Sequence, residues 1–251
     1  MQERIGQKLK EIEATESVRI LHAAESGSRA WGFASPDSDY DVRFIYVRGL
    51  NFYLKLEKTR DVIERPLKGD LDINGWDLQK ALRLLHRSNP TLFEWANSPI
   101  AYRTTEQWLH ISSCFPKYFL SKSSLYHYLH MAEGNFRGYL RRDVVRIKKY
   151  LYVLRPLLAC KWILKRRTPP PVLFSELVAA EAEPELKTEI EKLLDIKVNS
   201  PETDEMPQIT PLNEYIEKNL PLLQAQTEGL PDEVAKSFEK LNRLFLDVVS
   251  S

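Results

Sequence analysis

Two aspartates spaced two apart, Asp39 and Asp41, follow a Gly27-Ser28 pair in the stretch AAESGSRAWGFASPDSDYDVRFIYV. On an extended segment residues i and i+2 point to the same side, so both carboxylates would share one face. Like charges held that close repel unless a cation lies between them. Mg²⁺ suits such a pair, because it prefers a few carboxylates together with phosphate and water oxygens; Mn²⁺ is the alternative ion. A Gly-Ser turn lets backbone amides approach phosphate oxygens closely and adds a hydroxyl donor. These parts suit one task, holding a nucleoside triphosphate with divalent metal. The plainer reading is an ordinary turn over Pro36-Asp37-Ser38-Asp39, with Asp and Ser bonded to the local backbone. The flanks favour the first reading: residues 18–24 read as a strand entering the Gly-Ser turn, and residues 42–47 as a strand leaving the aspartates.

Gly-Ser followed by Asp-x-Asp resembles the signature of the DNA polymerase β nucleotidyltransferase superfamily. The resemblance implies a third carboxylate on a later strand, between apolar residues, and Asp72 in Leu71-Asp72-Ile73 fits. Asp70 would share that face but lies at the strand's entry. Asp77, preceding LQKALRLLHR, reads as a helix N-cap. The phrases ESGSRAWGF, SDYDVRF, SNPTLFEW and KKYLYVLRPLLACKW are similar to a bacterial and phage branch of nucleotidyltransferases linked to RNA repair, over roughly residues 18–165.

That resemblance implies transfer of a nucleoside monophosphate from an NTP to an acceptor hydroxyl, with release of pyrophosphate. Asp39, Asp41 and Asp72 would hold two Mg²⁺ ions, and Gly27, Ser28 and Arg29 would meet the phosphates. An RNA or tRNA end is the first candidate acceptor. A protein hydroxyl is the second, since toxin–antitoxin relatives with the same spacing adenylylate their partner. A binding module without catalysis is the third, and three intact carboxylates argue against it. The resemblance also implies a triphosphate-holding Lys from a helical domain; Lys149 in KKYLY matches, with Lys148 its neighbour.

Around the motif, Arg43 shares a strand face with Asp41 and is placed to hold that carboxylate. His22 and Glu25 read as structural neighbours of the turn. Trp31 and Phe33 are suited either to stack on a base or to cover the core beside the turn. His127 and His130 share a helix with aromatic residues and read as packing or surface groups.

The sequence of 251 residues has room for one large domain or two modest ones, and its 43% hydrophobic content is ordinary for a globular protein. Its net charge of +1 gives no global drive towards nucleic acid. Cys114 and Cys160 lie far apart without metal-ligand spacing, which argues against a disulfide framework or zinc site and for reduced thiols. The opening residues are charged throughout, and no run approaches the length of a membrane span, so the expected location is cytoplasmic with no membrane partner.

Ile5, Leu9 and Ile12 predict an opening amphipathic helix. Strands alternate with loops to about residue 75, including one around 61–67. A helix over 77–86 turns Leu78, Ala81, Leu82 and Leu85 inward; Asn89-Pro90 stops it, and Thr91 is placed to cap the next. Beyond Ser98-Pro99 the strand signals fade. The expected fold is α+β: a small mixed β-sheet nucleotidyltransferase domain with helices over 1–103, and a mostly α-helical domain over 104–251 closing over it. A surface loop is expected over 199–211.

The charge is unevenly spread. Residues 137–167 hold eleven Lys or Arg and one acid, Asp143, whereas residues 176–205 hold ten acids against three Lys. Val144, Ile147, Leu151, Leu154 and Leu158 make an apolar stripe at helical spacing. Arg141, Lys148 and Arg155 recur every seven residues beside it, with Lys149 and Tyr152 further round. The ridge reads either as a solvated face or as a wall for triphosphate or acceptor phosphates. Pro156 is expected to bend this helix.

Overall fold

The computed structural model of the chain describes residues 1–65, 69–199 and 205–250. Two compact units divide it: Met1–Ala30, Asp39–Tyr118 and Ala235–Ser251 form one, and Trp31–Ser38 with Phe119–Val234 the other. The fold is α+β, and its five-stranded sheet lies in the first unit. Residue 103, where composition shifts, falls within a strand of that first unit.

The first unit runs α1 (Gln2–Glu16), β1 (Val18–Ser26), the short α2 (Gly27–Trp31), β2 (Tyr40–Arg48), α3 (Leu50–Tyr53), β3 (Val62–Glu64), β4 (Leu71–Asp77), α4 (Leu78–His86), α5 (Pro90–Ala96), β5 (Ala101–Thr104) and α6 (Glu106–Ser112). Its five strands are ordered β3-β4-β2-β1-β5. Only β2 and β4 run parallel; the other neighbours are antiparallel. Strand alternation sorts the residues. Val42, Phe44, Tyr46, Leu71 and Ile73 form a buried cluster with Ile5, Leu9 and Ile12 of α1. Asp41, Arg43 and Asp72, at the intervening positions, therefore belong to the opposite face of the sheet.

Local signals explain the helices that follow. Asp77 caps α4 by accepting from the Gln79 amide at 2.8 Å, and Leu78, Ala81, Leu82 and Leu85 are buried. Such a cap contributes about 1 kcal/mol. The cap of α5 is Asn89, whose side chain accepts from the Leu92 amide, and not Thr91; Pro90 then occupies the first helical turn, where its missing N–H costs nothing. Strand structure also continues past Pro99. Ala101–Thr104 pairs with β1, and the strand signal is faint in the sequence because a four-residue edge strand carries little apolar pattern of its own.

The second unit contains α7 (Ser121–Asn135), β6 (Val144–Arg146), α8 (Ile147–Arg166), α9 (Phe174–Glu181), α10 (Pro184–Asn199), β7 (Glu205–Pro207) and α11 (Thr210–Glu228); α12 (Glu239–Val249) returns to the first unit. A single π turn, Phe136–Leu140, ends α7. The basic segment is thus not one helix from residue 137: a π turn, a bend and strand β6 precede α8. Val144 is exposed and does not extend the apolar stripe. Pro156 lies inside α8, a 20-residue helix that continues past it. The loop expected over 199–211 is corrected at both ends, since α10 reaches Asn199, β7 pairs with β6, and α11 starts at Thr210. Residues 200–204, and 66–68 at the end of the expected strand over 61–67, lie outside the described residues.

Residues 31–38, the spacer between the Gly-Ser turn and the aspartates, belong to this second unit. Phe33 is buried in its core with its ring against Phe174, the Arg155 guanidinium lies over the Trp31 ring, and the buried Lys197 donates to Ser35 Oγ at 2.6 Å.

Candidate active site

Three strands bring the motif residues of the sheet together. Antiparallel β1 and β2 set Ser26 opposite Asp41, so the chain turns at Gly27 beside that carboxylate. Parallel β2 and β4 set Asp41 opposite Asp72. Parallel neighbours lie about 4.8 Å apart, which puts two carboxylates within reach of one cation. The cation present is Arg43, two residues along β2 and so on the same face as Asp41. Its Nη2 donates to Asp41 Oδ1 at 2.8 Å and to Asp72 Oδ2 at 2.7 Å, while Nη1 lies 3.3 Å from the Val42 and Asp72 carbonyls. The three side chains are only partly exposed, at 17% for Arg43, 30% for Asp41 and 38% for Asp72, so water screens the charges incompletely.

Gly27 is required twice over. Its φ of +63° lies in the left-handed region, and a Cβ built there would come within 2.2 Å of Asp41 Oδ2. Any larger residue would strain the turn and push the Asp41 carboxylate aside. Ser28 follows, buried in the short α2. Arg29 is restrained by the Asp39 backbone: its Nε donates to the Asp39 carbonyl at 3.1 Å, and its guanidinium stacks 3.7 Å from the centre of the Tyr40 ring.

Glu25, which reads from the sequence as a structural neighbour of the turn, and Tyr102, which the sequence does not single out, support the same strand. Glu25 is buried, and its Oε1 accepts from the Asp41 amide at 2.6 Å while Oε2 accepts from the Tyr102 hydroxyl. Burial holds the Glu25 carboxyl above its usual range, against the pull of those hydrogen bonds. Glu25 therefore fixes the backbone that carries Asp41. Tyr102, on the edge strand β5, left no local sign of this, because the contact spans 77 residues.

The third carboxylate and its competitors separate clearly. Asp72 is in register with Asp41, whereas Asp70 precedes β4 and pairs with Arg4 at 2.8 Å, which lowers its pKa. Asp77 is spent on its cap and on the Tyr53 hydroxyl, and burial raises its pKa. Asp39 is exposed and lies one residue before β2, off the regular alternation. Among the described residues no three His, Cys, Asp or Glu gather as a ready metal site. Asp41 and Asp72 alone meet in register, and they already clasp a cation. By donor chemistry the pair fits a hard divalent ion, which binds through carboxylate oxygens.

The cations of the helical unit have unlike surroundings. Lys149 Nζ sits 3.7 Å from the Tyr139 ring centre and 5.3 Å from that of Tyr152. Burial, then the neighbouring Lys148 and Arg146, lower its pKa, and among the described residues no carboxylate bonds it. Lys148 is half-buried beside it. Arg141 stands outside α8, in the bend after the π turn, with its guanidinium 5.6 Å from the Phe136 ring. Arg155 is buried, donating to the Val172 carbonyl at 3.4 Å and lying 4.5 Å from the Trp31 ring. The seven-residue ridge of Arg141, Lys148 and Arg155 is therefore not a continuous surface: one member precedes the helix and another faces the core. Trp31 and Phe33 lie in this unit, Trp31 edge-on to Tyr152 and Phe33 in the core. Cys114 and Cys160 are buried free thiols, and no helix among the described residues is long and apolar enough to cross a membrane.

Known proteins are similar to this chain over nearly its whole length. The profile of the RNA repair pathway DNA polymerase beta family matches residues 1–247. An uncharacterised protein of Bacillus subtilis (strain 168), YcgL, is 46% identical over 257 residues, covering 99% of this chain and 96% of that protein. The solved structure of a nucleotidyltransferase-like protein from Exiguobacterium sibiricum 255-15 is similar at 16% identity and a TM-score of 0.33, covering 98% of this chain and 89% of that one.

Proposed function

Because this chain belongs to the RNA repair pathway DNA polymerase beta family, we propose that it transfers a nucleoside monophosphate from an NTP to a hydroxyl on RNA or tRNA. The observation that carries the reading is the clasp of Asp41 and Asp72, in register on parallel strands beside a glycine whose missing Cβ leaves room for the carboxylate.

In this reading Asp41 and Asp72, joined by Asp39, hold Mg²⁺ or Mn²⁺. When bound, such ions neutralise the triphosphate and lower the pKa of the attacking hydroxyl. The acceptor oxygen forms a bond to the α-phosphorus as the bond to the β-phosphate oxygen breaks, and pyrophosphate leaves. Asp72 takes the hydroxyl proton. The Gly27-Ser28 turn and Arg29 meet the phosphates through amide, hydroxyl and guanidinium donors. Lys149 holds the triphosphate. A partly desolvated ammonium met, among the described residues, by two aromatic faces and no carboxylate favours an added anion. Lys148 and Arg141 are proposed to meet acceptor phosphates; the burial of Arg155 leaves it a packing role.

The test uses each α-labelled NTP with Mg²⁺, cellular RNA and cell lysate. Label should appear on RNA, with pyrophosphate released, and both should vanish in Asp41→Asn. Label on a protein would move the acceptor to a protein hydroxyl. No label anywhere, with labelled NTP bound equally by wild type and Asp41→Asn, would reduce the protein to a binding module.

A further inference from the structure

The clasp itself carries one further step, which rests on the reading above. A single nitrogen, Arg43 Nη2, bonds one oxygen from each carboxylate, so it stands where a cation shared by Asp41 and Asp72 would stand. The other Asp41 oxygen is turned against Gly27, within 2.2 Å of the place a Cβ would take. A metal shared by the two carboxylates would therefore compete with Arg43 for the Asp41 oxygen that it now holds. Two cations cannot occupy that point together, because they repel at such distances.

We propose that Arg43 is a placeholder cation, which neutralises the Asp41–Asp72 pair in the metal-free protein and must be displaced for divalent metal to bridge it. Arg43 is then a positioning residue. It holds two adjacent carboxylates aligned before the substrate arrives, and it weakens metal binding until something else compensates. An incoming metal–triphosphate complex supplies that compensation, since its phosphates offer the freed guanidinium bidentate acceptors in exchange. Metal alone should bind poorly and metal with nucleotide well.

The experiment measures Mn²⁺ binding by electron paramagnetic resonance, without and with a non-hydrolysable ATP analogue, in wild type, Arg43→Gln, Arg43→Lys, Asp41→Asn and Asp72→Asn. Without nucleotide, Arg43→Gln should bind Mn²⁺ roughly tenfold or more tighter than wild type, the scale of exchanging one charge-assisted hydrogen bond. Arg43→Lys should fall between them. Removing a positive charge also helps a metal from a distance, so a second readout follows the guanidinium. In wild type, the Arg43 Nε–H resonance should move or broaden when Mg²⁺ and the analogue saturate the site. An unmoved resonance at saturation, or Mn²⁺ binding no tighter in Arg43→Gln while both Asp variants lose it, overturns the placeholder and leaves the proposed function standing. Should Arg43→Gln not fold, the wild-type resonance decides alone. Wild type that binds no Mn²⁺ even with the analogue overturns the proposed function, and the placeholder with it.

Discussion

The carboxylates of the sheet and the cations of the helical unit were read from the same kind of signal, a spacing, and they fared differently. Asp41, Arg43 and Asp72 lie on strands, where alternation assigns faces within two residues and tolerates an end misplaced by an even number. Arg141, Lys148 and Arg155 were assigned by a helical period, which holds only inside a helix whose start is known. Arg141 falls outside α8, which begins at Ile147, and Arg155, inside it, is buried against Trp31. Lys148 and Lys149 are half-buried, and Lys149 Nζ lies against two tyrosine rings. Asp39, one residue before β2, and Arg141, before α8, show that either period holds only inside its element.

The largest effect should come from the sheet. Asp41→Asn should cut nucleotidyl transfer at least about 10²–10³-fold, the scale of losing a group that acts on developing charge. The fold should survive, because Asp72 still holds Arg43. Asp70→Asn, two residues from Asp72 but paired with Arg4, should leave turnover near wild type. Steady-state rates with circular dichroism check both, and equal losses would break the claim that register selects Asp72.

Gly27→Ala comes next. It forces a side chain into left-handed backbone, at a cost of about 1–2 kcal/mol, and drives a methyl towards Asp41 Oδ2. Thermal unfolding should register the first, and a fall in kcat beyond that expected from the unfolded fraction should register the second.

Lys149 and Arg155 sharpen the comparison within one helix. Lys149→Ala should raise the KM for NTP about tenfold, as one charge-assisted contact to phosphate is lost, with little change in stability. Arg155→Ala should do the reverse, destabilising by about 1–3 kcal/mol through lost packing on Trp31, with KM unchanged. Matching KM shifts would restore the continuous ridge.

The smallest effect is a pH slope in the sheet unit. His22 is buried, with Nε2 donating to the Trp95 carbonyl and Nδ1 facing the Thr104 hydroxyl, and burial lowers its pKa below 6.5. The unfolded chain therefore binds the proton first as pH falls. The contribution is complete above 6.5 and lost as pH drops towards the folded value, at up to about 1.4 kcal/mol per unit. Glu25 and Asp77, whose raised values make stability fall with rising pH, run the other way, but they are common to wild type and variant. Denaturant melts of wild type and His22→Gln between pH 5 and 7 should therefore differ in slope, the variant being flatter.

The sequence by itself determined the strands around Gly27-Ser28 and Asp39-x-Asp41, the inward faces of α1 and α4, the Asp77 cap, and the presence of Arg43 on the face of Asp41. Each depends on residues within a turn or two of one another, where backbone sterics and side-chain alternation act locally. Only the tertiary structure decided that Asp72 rather than Asp70 stands opposite Asp41, since parallel pairing joins residues 31 apart and a shift of two would keep the same face. It alone showed that Glu25 and Tyr102 secure the Asp41 backbone, that one Arg43 nitrogen joins both carboxylates, and that the spacer from Trp31 to Ser38 belongs to the helical unit. Strand register and burial are set by contacts distant in the chain, and no local pattern carries them.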